Sequence, residues 1–270
     1  MKILELFFLF IRELWKNRPV IIELARRDFQ SKYLGSYLGM LWAFVHPSVY
    51  VGILWFVFQI GFKSKPEGNY PFILWMLCGI IPWFFFSECL MSATNAVLDN
   101  SYLLKKMVFS IAMLPIVKII SSLVIHVFFI VIIFIMLLCY GYPANIHWLQ
   151  VFYYLFAMLT LLQGLTWLTS ALVVFMRDVG QLVAMALQFL FWFTPIFWSA
   201  KLLPEKYLNL VKINPIYYIV EGYRESFIYQ TWFWERHYLL TIYFWSVTGA
   251  MLVCGATVFR RLRPHFADVL

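Results

Sequence analysis

Long apolar runs recur along the chain, and they constrain its fold more than any other feature. Residues 113–139 carry one lysine and one histidine but no aspartate or glutamate. About 20 such residues are enough for a helix that crosses a lipid bilayer. Six runs reach this length, so the sequence predicts an all-α membrane protein with six transmembrane helices. The predicted spans are 38–61, 72–97, 113–139, 149–175, 180–199 and 238–259.

Composition agrees with this fold class and excludes several functions. Hydrophobic residues make up 63% of the chain and charged residues only 13%, and the charged share is about half of that in soluble proteins. No G-x-x-x-x-G-K-[ST] or G-x-S-x-G motif occurs, and the cysteines and histidines lack the spacing of a metal site. We therefore predict that the chain is not an enzyme and binds no cofactor itself. Any uphill transport takes its energy from a partner or from an ion gradient.

The distribution of lysine and arginine predicts the orientation in the membrane. If both termini are cytoplasmic, thirteen of these residues lie in cytoplasmic segments and seven in outer segments. Cytoplasmic loops of membrane proteins are enriched in lysine and arginine. The bias favours both termini inside, although residues 200–237 hold five of the seven outer charges. We attribute the net charge of +8 to these cytoplasmic lysines and arginines and not to binding of nucleic acid.

Residues 1–18 place charged and apolar side chains on opposite sides of a helix. Leu4, Phe7 and Ile11 share the apolar face, and Pro19 follows the segment. The segment is too short and too charged to span a bilayer. The pattern predicts an amphipathic helix that lies in the membrane interface and ends before the proline.

The basic stretch "RRDFQSKY", which starts at Arg26, is predicted to be an elbow between this helix and the first span. Within that span, the pair His46-Pro47 is expected to interrupt the helix, because proline removes a backbone hydrogen bond and clashes with the preceding turn. No shift in composition marks a second domain. The chain is predicted to be one membrane domain, divided into 1–35, 38–199, 200–237 and 238–270.

Residues 200–237 are too polar to span the membrane and too aromatic for an ordinary loop. We predict two short re-entrant helices that dip into the outer leaflet, where protein or a water-filled cavity must cover non-helical backbone. The alternative is an aromatic belt helix that lies on the outer surface. Glu221 and Glu225 are the only carboxylate pair that an integral-membrane enzyme could use, and we interpret them as polar contacts with Arg224 nearby.

Polar side chains form stripes on the fourth and fifth predicted spans. Such faces need a partner helix or a wet cavity. Contacts between helices are the commoner explanation, but amides beside tryptophans also suit a conduit for sugars, because aromatic faces stack on sugar rings and amides bond to hydroxyls. The stripes consist of Thr160, Gln163, Trp167 and Ser170, and of Gln181, Gln188, Trp192 and Pro195.

Few ionisable side chains fall inside the predicted spans. Glu88, Lys118 and His126 are a small set for an ion-coupled carrier. Lys118 lies near a helix end, so we expect its amine to extend toward the membrane surface. Glu88 and His126 suit either a structural or a functional role.

The segment between the second and third spans, "LDNSYLLKKMVFSIAMLP", is expected on the cytoplasmic side. Asp99, Asn100 or Ser101 can cap a short helix, which Lys105 and Lys106 then follow. Such a helix offers a contact for a soluble partner. The alternative is an ordinary connecting turn.

"RRDFQSKYLGSYLGMLWAFVHP" and "GIIPWFFFSECL" are the first two of five motifs, in series along the chain, that carry a family resemblance. They resemble the entry to the first span and the second span of the membrane subunit of type-2 ABC exporters, in the branch that exports O-antigen, capsule or teichoic acid. "FMRDVGQLVAMALQFLFWFTPIFW" and "INPIYYIVEGYRESF" resemble two later motifs. The tail "RRLRPHFADVL" resembles that of O-antigen permeases, which favours O-antigen.

The resemblance implies a homodimer of permeases with two separate ATPase subunits, which bind ATP and magnesium. It implies that a lipid-linked polysaccharide crosses the cytoplasmic (inner) membrane through an aromatic-lined channel. A capsule or teichoic acid exporter, or a drug or lipid efflux permease of the same superfamily, is the alternative. Candidate coupling residues are Arg26, Arg27, Asp28, Ser101, Tyr102, Lys105, Lys106, Arg177 and Asp178. Our candidate channel residues are Gln163, Trp167, Gln188, Trp192, Tyr223 and Trp232.

Overall fold

The computed structural model describes residues 12–32, 37–64, 70–101, 110–236 and 238–270, and every regular element in these ranges is helical. Short helical turns connect the main helices. The main helices are α1 (Arg18–Ser31), α2 (Trp42–Trp55), α3 (Phe72–Thr94), α4 (Leu114–Cys139), α5 (Gln150–Phe175), α6 (Asp178–Phe193), α7 (Glu205–Ile213), α8 (Pro215–Arg224) and α9 (Tyr238–Leu262).

Five helical stretches in the described part of the chain are long and apolar enough to cross a membrane. They coincide with five of the six predicted spans, and they make the chain a multi-pass membrane protein. These stretches are Gly39–Gly61, Phe72–Thr94, Ile111–Cys139, Ile146–Phe175 and Tyr238–Val269.

The remaining predicted span, 180–199, differs from the expectation of one continuous helix. α6 ends at Phe193 after 16 residues, which gives about 24 Å at ~1.5 Å per residue, short of the ~30 Å hydrocarbon core. Thr194 has an extended backbone with ψ of 132°, as favoured for a residue that precedes a proline. A sixth crossing therefore stays a prediction, and the chain after α6 is a non-helical segment.

The N-terminal region forms a helix where the sequence predicted an elbow. Residues 12–16 are helical, whereas 1–11 of the predicted interfacial helix and 33–36 of the elbow lie outside the described residues. A new helix, α1, begins at Arg18 with a proline in its first turn, where the missing amide costs nothing. The basic stretch from Arg26 continues this helix to Ser31.

The first span also stays helical where an interruption was expected. α2 runs through His46-Pro47 without a break. The proline removes only the bond to the carbonyl of Ala43, four residues earlier, and the flanking turns keep their hydrogen bonds. A π-helical turn, Phe56–Gly61, follows α2 and completes the span.

Consecutive long helices run in alternate directions, which gives the bundle two ends. The end that we call the Lys118 end holds the start of α4 and the last turns of α3 and α5. α1 lies at this end, where Ile21 and Ala25 pack against Met113 and Val117. The opposite end, the Trp75 end, holds the start of α3 together with α7 and α8.

The helix α3 lies at the centre of the bundle. α4, α5 and α8 pack around it, and most of its residues are buried. α2 and α9 bury only a small share of their residues within the bundle. α9 packs along α5 at two glycines, where a Cβ on Gly255 would lie 2.1 Å from the carbonyl oxygen of Gly164. These glycines let the two backbones approach closely, as small residues do in membrane helix pairs.

Candidate functional site

A buried ion cluster joins three segments at the Lys118 end. The Lys118 amine lies 2.7 Å from the Asp28 carboxylate of α1 and 3.3 Å from the Asp99 carboxylate. The side chains of Lys118 and Asp28 are only 10% and 13% exposed, whereas Asp99 is 52% exposed. The sequence predicted a lysine that reaches toward the membrane surface, but the structure shows one that bridges two carboxylates.

A second ion pair lies between the N-terminal region and α3. The amine of Lys32 lies 3.0 Å from a carboxylate oxygen of Glu88. Glu88 was the main intramembrane carboxylate in the sequence, and this contact gives it a partner. Arg26 and Arg27 are exposed on α1, and Arg27 pairs with Glu23 at 2.8 Å. α1 is thus bound to the bundle by Asp28 and Lys32, while its two arginines face outward.

The other predicted coupling residues lie near this cluster or outside the described residues. Ser101 is half-buried just before residues 102–109, so Tyr102, Lys105 and Lys106 lie outside the described part. Arg177 and Asp178 are exposed at the turn between α5 and α6. A Cβ on Gly180 in this turn would lie 3.8 Å from the side-chain oxygen of Asn95, so the turn neighbours the end of α3. The structure therefore brings the described coupling candidates to one end of the bundle.

Two of the predicted channel residues, Gln188 and Trp192, share an exposed groove on α6. Trp192 is 59% exposed. The rings of Phe189 and Phe193 stack beside it with centroids 5.4 Å apart. Together with Met185, these residues line the groove. The face offers aromatic surface and one amide, a combination that can stack on sugar rings and bond to hydroxyls.

Gln163 and Trp167 lie on α5, apart from this groove. The indole nitrogen of Trp167 donates to the carbonyl oxygen of Ala112 at 3.0 Å, and its ring packs on a small cluster that includes Phe259 and Phe266. Gln163 is half-buried near the glycine contact between α5 and α9. These positions agree with contact between helices. That was the commoner of the two explanations given above for the polar stripe on the fourth predicted span.

The last two channel candidates lie toward the Trp75 end. Tyr223 is fully buried, and its hydroxyl lies 2.8 Å from the imidazole of His126, so it belongs to the interior of a single chain. Trp232 is half-buried and stacks on Trp234 with ring centroids 4.8 Å apart. The ring of His147 covers the Trp232 ring at 4.6 Å. This pair forms a small aromatic surface at that end.

The outer segment contains buried charges that the sequence interpretation underestimated. Arg224 was counted among the outer loop charges, but it is 1% exposed and pairs with Glu221 at 2.7 Å. Glu225 is also buried and accepts a hydrogen bond from the Tyr154 hydroxyl at 2.8 Å. The two glutamates therefore contact different partners, as polar contacts rather than as a catalytic pair. The described residues contain no cluster of side chains that could hold a metal ion.

These features define a multi-pass helical membrane protein with an ion cluster at one end and an exposed aromatic face. Residues 19–228 match the family described as ABC-2 type transporter. The chain belongs to the ABC-2 type transporter family, which agrees with the resemblance found in its motifs and with a transport permease rather than an enzyme.

Relatives extend this similarity over nearly the whole chain. A protein of Klebsiella pneumoniae named O-antigen export system permease protein RfbA is 26% identical over 256 residues, which cover 93% of this chain and 95% of that protein. A protein of Myxococcus xanthus with the same name is 25% identical over 260 residues, which cover 96% and 98% of the two chains.

Proposed function

We propose that this chain is the membrane subunit of an exporter that moves a lipid-linked, O-antigen-like polysaccharide across the cytoplasmic membrane. The observation that carries the proposal is the similarity to proteins named O-antigen export permeases, which covers 93% of this chain. The described residues hold an exposed aromatic groove on α6, which suits a conduit. In this proposal both termini are cytoplasmic.

The energy for export comes, in this proposal, from two separate ATPase subunits that bind ATP and magnesium. They dock at the Lys118 end, where the exposed arginines of α1 and the turn at Arg177 and Asp178 present charged side chains. Lys118 ties α1 to Asp99, which lies just before residues 102–109. A displacement of that segment by an ATPase would thus be passed to α1 and to the start of α4.

The conduit itself requires a second copy of the chain in this proposal. The groove on α6 with Gln188 and Trp192 is open on one side, and a second groove facing it would close an aromatic-lined passage. Aromatic surfaces bind each sugar weakly and at many places, so a polymer can slide along them. The exposed apolar residues of α2 and α9 then face lipid or the partner copy.

Deletion of the chain tests the proposed function. Surface polysaccharide should be lost while its lipid-linked precursor accumulates inside the cell, and the plasmid-borne chain should restore export. Purification from membranes should recover a subunit with ATPase activity. Unchanged surface polysaccharide, with increased sensitivity to small toxic molecules, would instead support the drug or lipid efflux alternative.

Replacement of Trp192 by alanine is expected to slow export without preventing insertion of the chain. Loss of one aromatic stacking contact of ~1 kcal/mol corresponds to about a fivefold lower rate. The measurement is the amount of surface polysaccharide that appears per minute after induction. Phe152→Ala serves as the control, because Phe152 is 63% exposed on α5 and lies outside the groove. Equal export rates for both variants would show that Trp192 does not line the conduit.

A further inference from the structure

The chain after α6 presents a problem of backbone hydrogen bonding. The helix ends at Phe193, and residues 194–197 are buried without forming a regular helix. Backbone carbonyls that are buried in a membrane protein need partners, because no water reaches them in the hydrocarbon layer. Something on a neighbouring element must therefore satisfy this segment.

A single guanidinium group supplies two of these partners. Nη1 of Arg224 donates to the carbonyl oxygen of Pro195 at 2.8 Å, and Nη2 donates to that of Ile196 at 2.9 Å. Arg224 is the last residue of α8, so these bonds join α8 directly to the end of α6. Hydrogen bonds from a charged donor are stronger than those between neutral groups.

The same guanidinium group is held in place on its other sides. Nη1 also donates to Glu221 at 2.7 Å, which supplies the opposite charge. The guanidinium carbon lies 3.6 Å from the centre of the Trp75 ring on α3, a cation–π contact. A Cβ on Gly79 would lie only 2.9 Å from Nη2, so glycine at this position leaves the space that the arginine occupies.

A second contact joins the same two elements beside the arginine. The side-chain amide of Asn214, which precedes α8, donates to the Thr194 hydroxyl at 2.8 Å. The oxygen of the same amide accepts the backbone N–H of Ile216 at 3.0 Å and so caps α8. The non-helical segment is thus bound to α8 at Thr194 and at the two carbonyls that follow.

We propose that Arg224 is a positioning residue for export, which fixes the end of α6 to α8 and α3. Trp192 lies two residues before the non-helical segment, so this connection sets where the groove on α6 stands relative to the rest of the bundle. The end of α6 and α8 then move as one unit when the passage widens. This role rests on the proposed function, because it concerns the wall of the proposed conduit.

Lysine cannot replace arginine in this role. Nη1 donates both to the Pro195 carbonyl and to the Glu221 carboxylate, while Nη2 of the same planar group donates to the Ile196 carbonyl. An ammonium group is a compact charge on a flexible stem and lacks this fixed fork of donors. Arg224→Lys therefore keeps the positive charge but loses at least one of the bonds to the segment.

Two native cysteines allow the connection to be measured in the whole chain. Cys78 and Cys89 are both fully buried on α3, near its two ends. Cys78 directly precedes Gly79, the residue on α3 where a Cβ would lie 2.9 Å from Nη2 of Arg224. Opening of the connection should therefore let N-ethylmaleimide reach Cys78. Cys89 lies toward the other end of the helix and should stay protected.

The experiment compares the rates at which N-ethylmaleimide labels both cysteines in native membranes, read by peptide mass spectrometry. Arg224→Lys should raise the Cys78 rate by about tenfold, as expected for the loss of a charged hydrogen bond in a local opening, and leave Cys89 unchanged. Gly79→Ala should do the same with the arginine still present, because its methyl group displaces Nη2. Gly52→Ala is the matched control, since a Cβ there meets no atom within 4 Å.

If Cys78 stays protected in both variants, or if Cys78 and Cys89 become reactive together, Arg224 does not hold the segment locally and the proposal fails. Should Arg224→Lys not accumulate in membranes, Gly79→Ala carries the test alone. The labelling rates need no polysaccharide, so they are independent of the substrate. Failure of the proposed function would instead appear as normal surface polysaccharide in the deletion strain.

Discussion

Replacement of Gly255 by alanine is expected to separate the last span from α5 and to destabilise the folded chain severely. The new methyl group would lie 2.1 Å from the carbonyl oxygen of Gly164 and 3.3 Å from the backbone nitrogen of Leu168. Both obstacles are backbone atoms, so no side chain can rotate away and the helices themselves must move apart. We expect a loss of about 3 kcal/mol, the upper part of the range for overpacked sites.

The measurement is the temperature at which the detergent-solubilised chain loses its monodisperse peak in size-exclusion chromatography. Gly249→Ala is the matched control, because it lies on the same helix and a Cβ there meets no atom within 4 Å. Gly164→Ala should resemble Gly255→Ala, since its Cβ would lie 2.7 Å from the backbone nitrogen of Leu252. Equal stability of the Gly255 and Gly249 variants would contradict the close contact of α5 and α9.

The second large effect is expected for Lys118. Its replacement by alanine leaves Asp28 charged, 13% exposed and without its amine partner. Removal of one partner from a buried ion pair costs about 3 kcal/mol. This loss weakens the attachment of α1, which is then held by the Lys32–Glu88 pair and by the packing of Ile21 and Ala25. We expect trypsin to cleave the membrane-embedded chain at Arg26 and Arg27 much faster in this variant. If the proposed function holds, the rate of export should also fall in this variant, because the ATPase would act on a helix that is less firmly attached to the bundle.

The exposed carboxylate of the same cluster provides the control. Asp99 is 52% exposed and lies 3.3 Å from the lysine, so Asp99→Asn should change the cleavage by little, as for other exposed ion pairs of under ~1 kcal/mol. Asp28→Asn should have an intermediate effect, because Lys118 keeps Asp99. A fast cleavage in Asp99→Asn, or none in Lys118→Ala, would show that α1 is attached by other contacts.

Much of the fold follows from local sequence signals. The five spans were predictable because each apolar run is long enough to cross a bilayer on its own. The end of α6 was harder, although the signal was present in Thr194-Pro195, since apolar residues continue on both sides of the proline. A hydropathy average over a whole span does not reveal such a break. The backbone restriction that proline imposes acts only on the single residue before it.

The candidate site was less predictable, because its contacts join residues far apart in the chain. Gln188 and Trp192 of the predicted stripe share the groove on α6, since residues at helical spacing lie on one face of a helix. Pro195 of the same stripe instead lies after the end of α6 and is buried. The partner of Lys118 lies 90 residues away, on α1, and no local pattern indicates such a pairing. Arg224 looked like a loop charge for the same reason, since Trp75 and the two carbonyls come from other elements.

The enclosed guanidinium group of Arg224 also bears on how the chain is made. An arginine at the centre of an isolated helix costs about 2.5 to 3.5 kcal/mol during insertion into a membrane. Here Pro195, Glu221 and Trp75 all precede the arginine in the chain. During synthesis from the N-terminus, each of these partners is therefore already part of the chain when Arg224 is added. None of these contacts to the guanidinium group involves the last span, α9, which follows Arg224 in the chain.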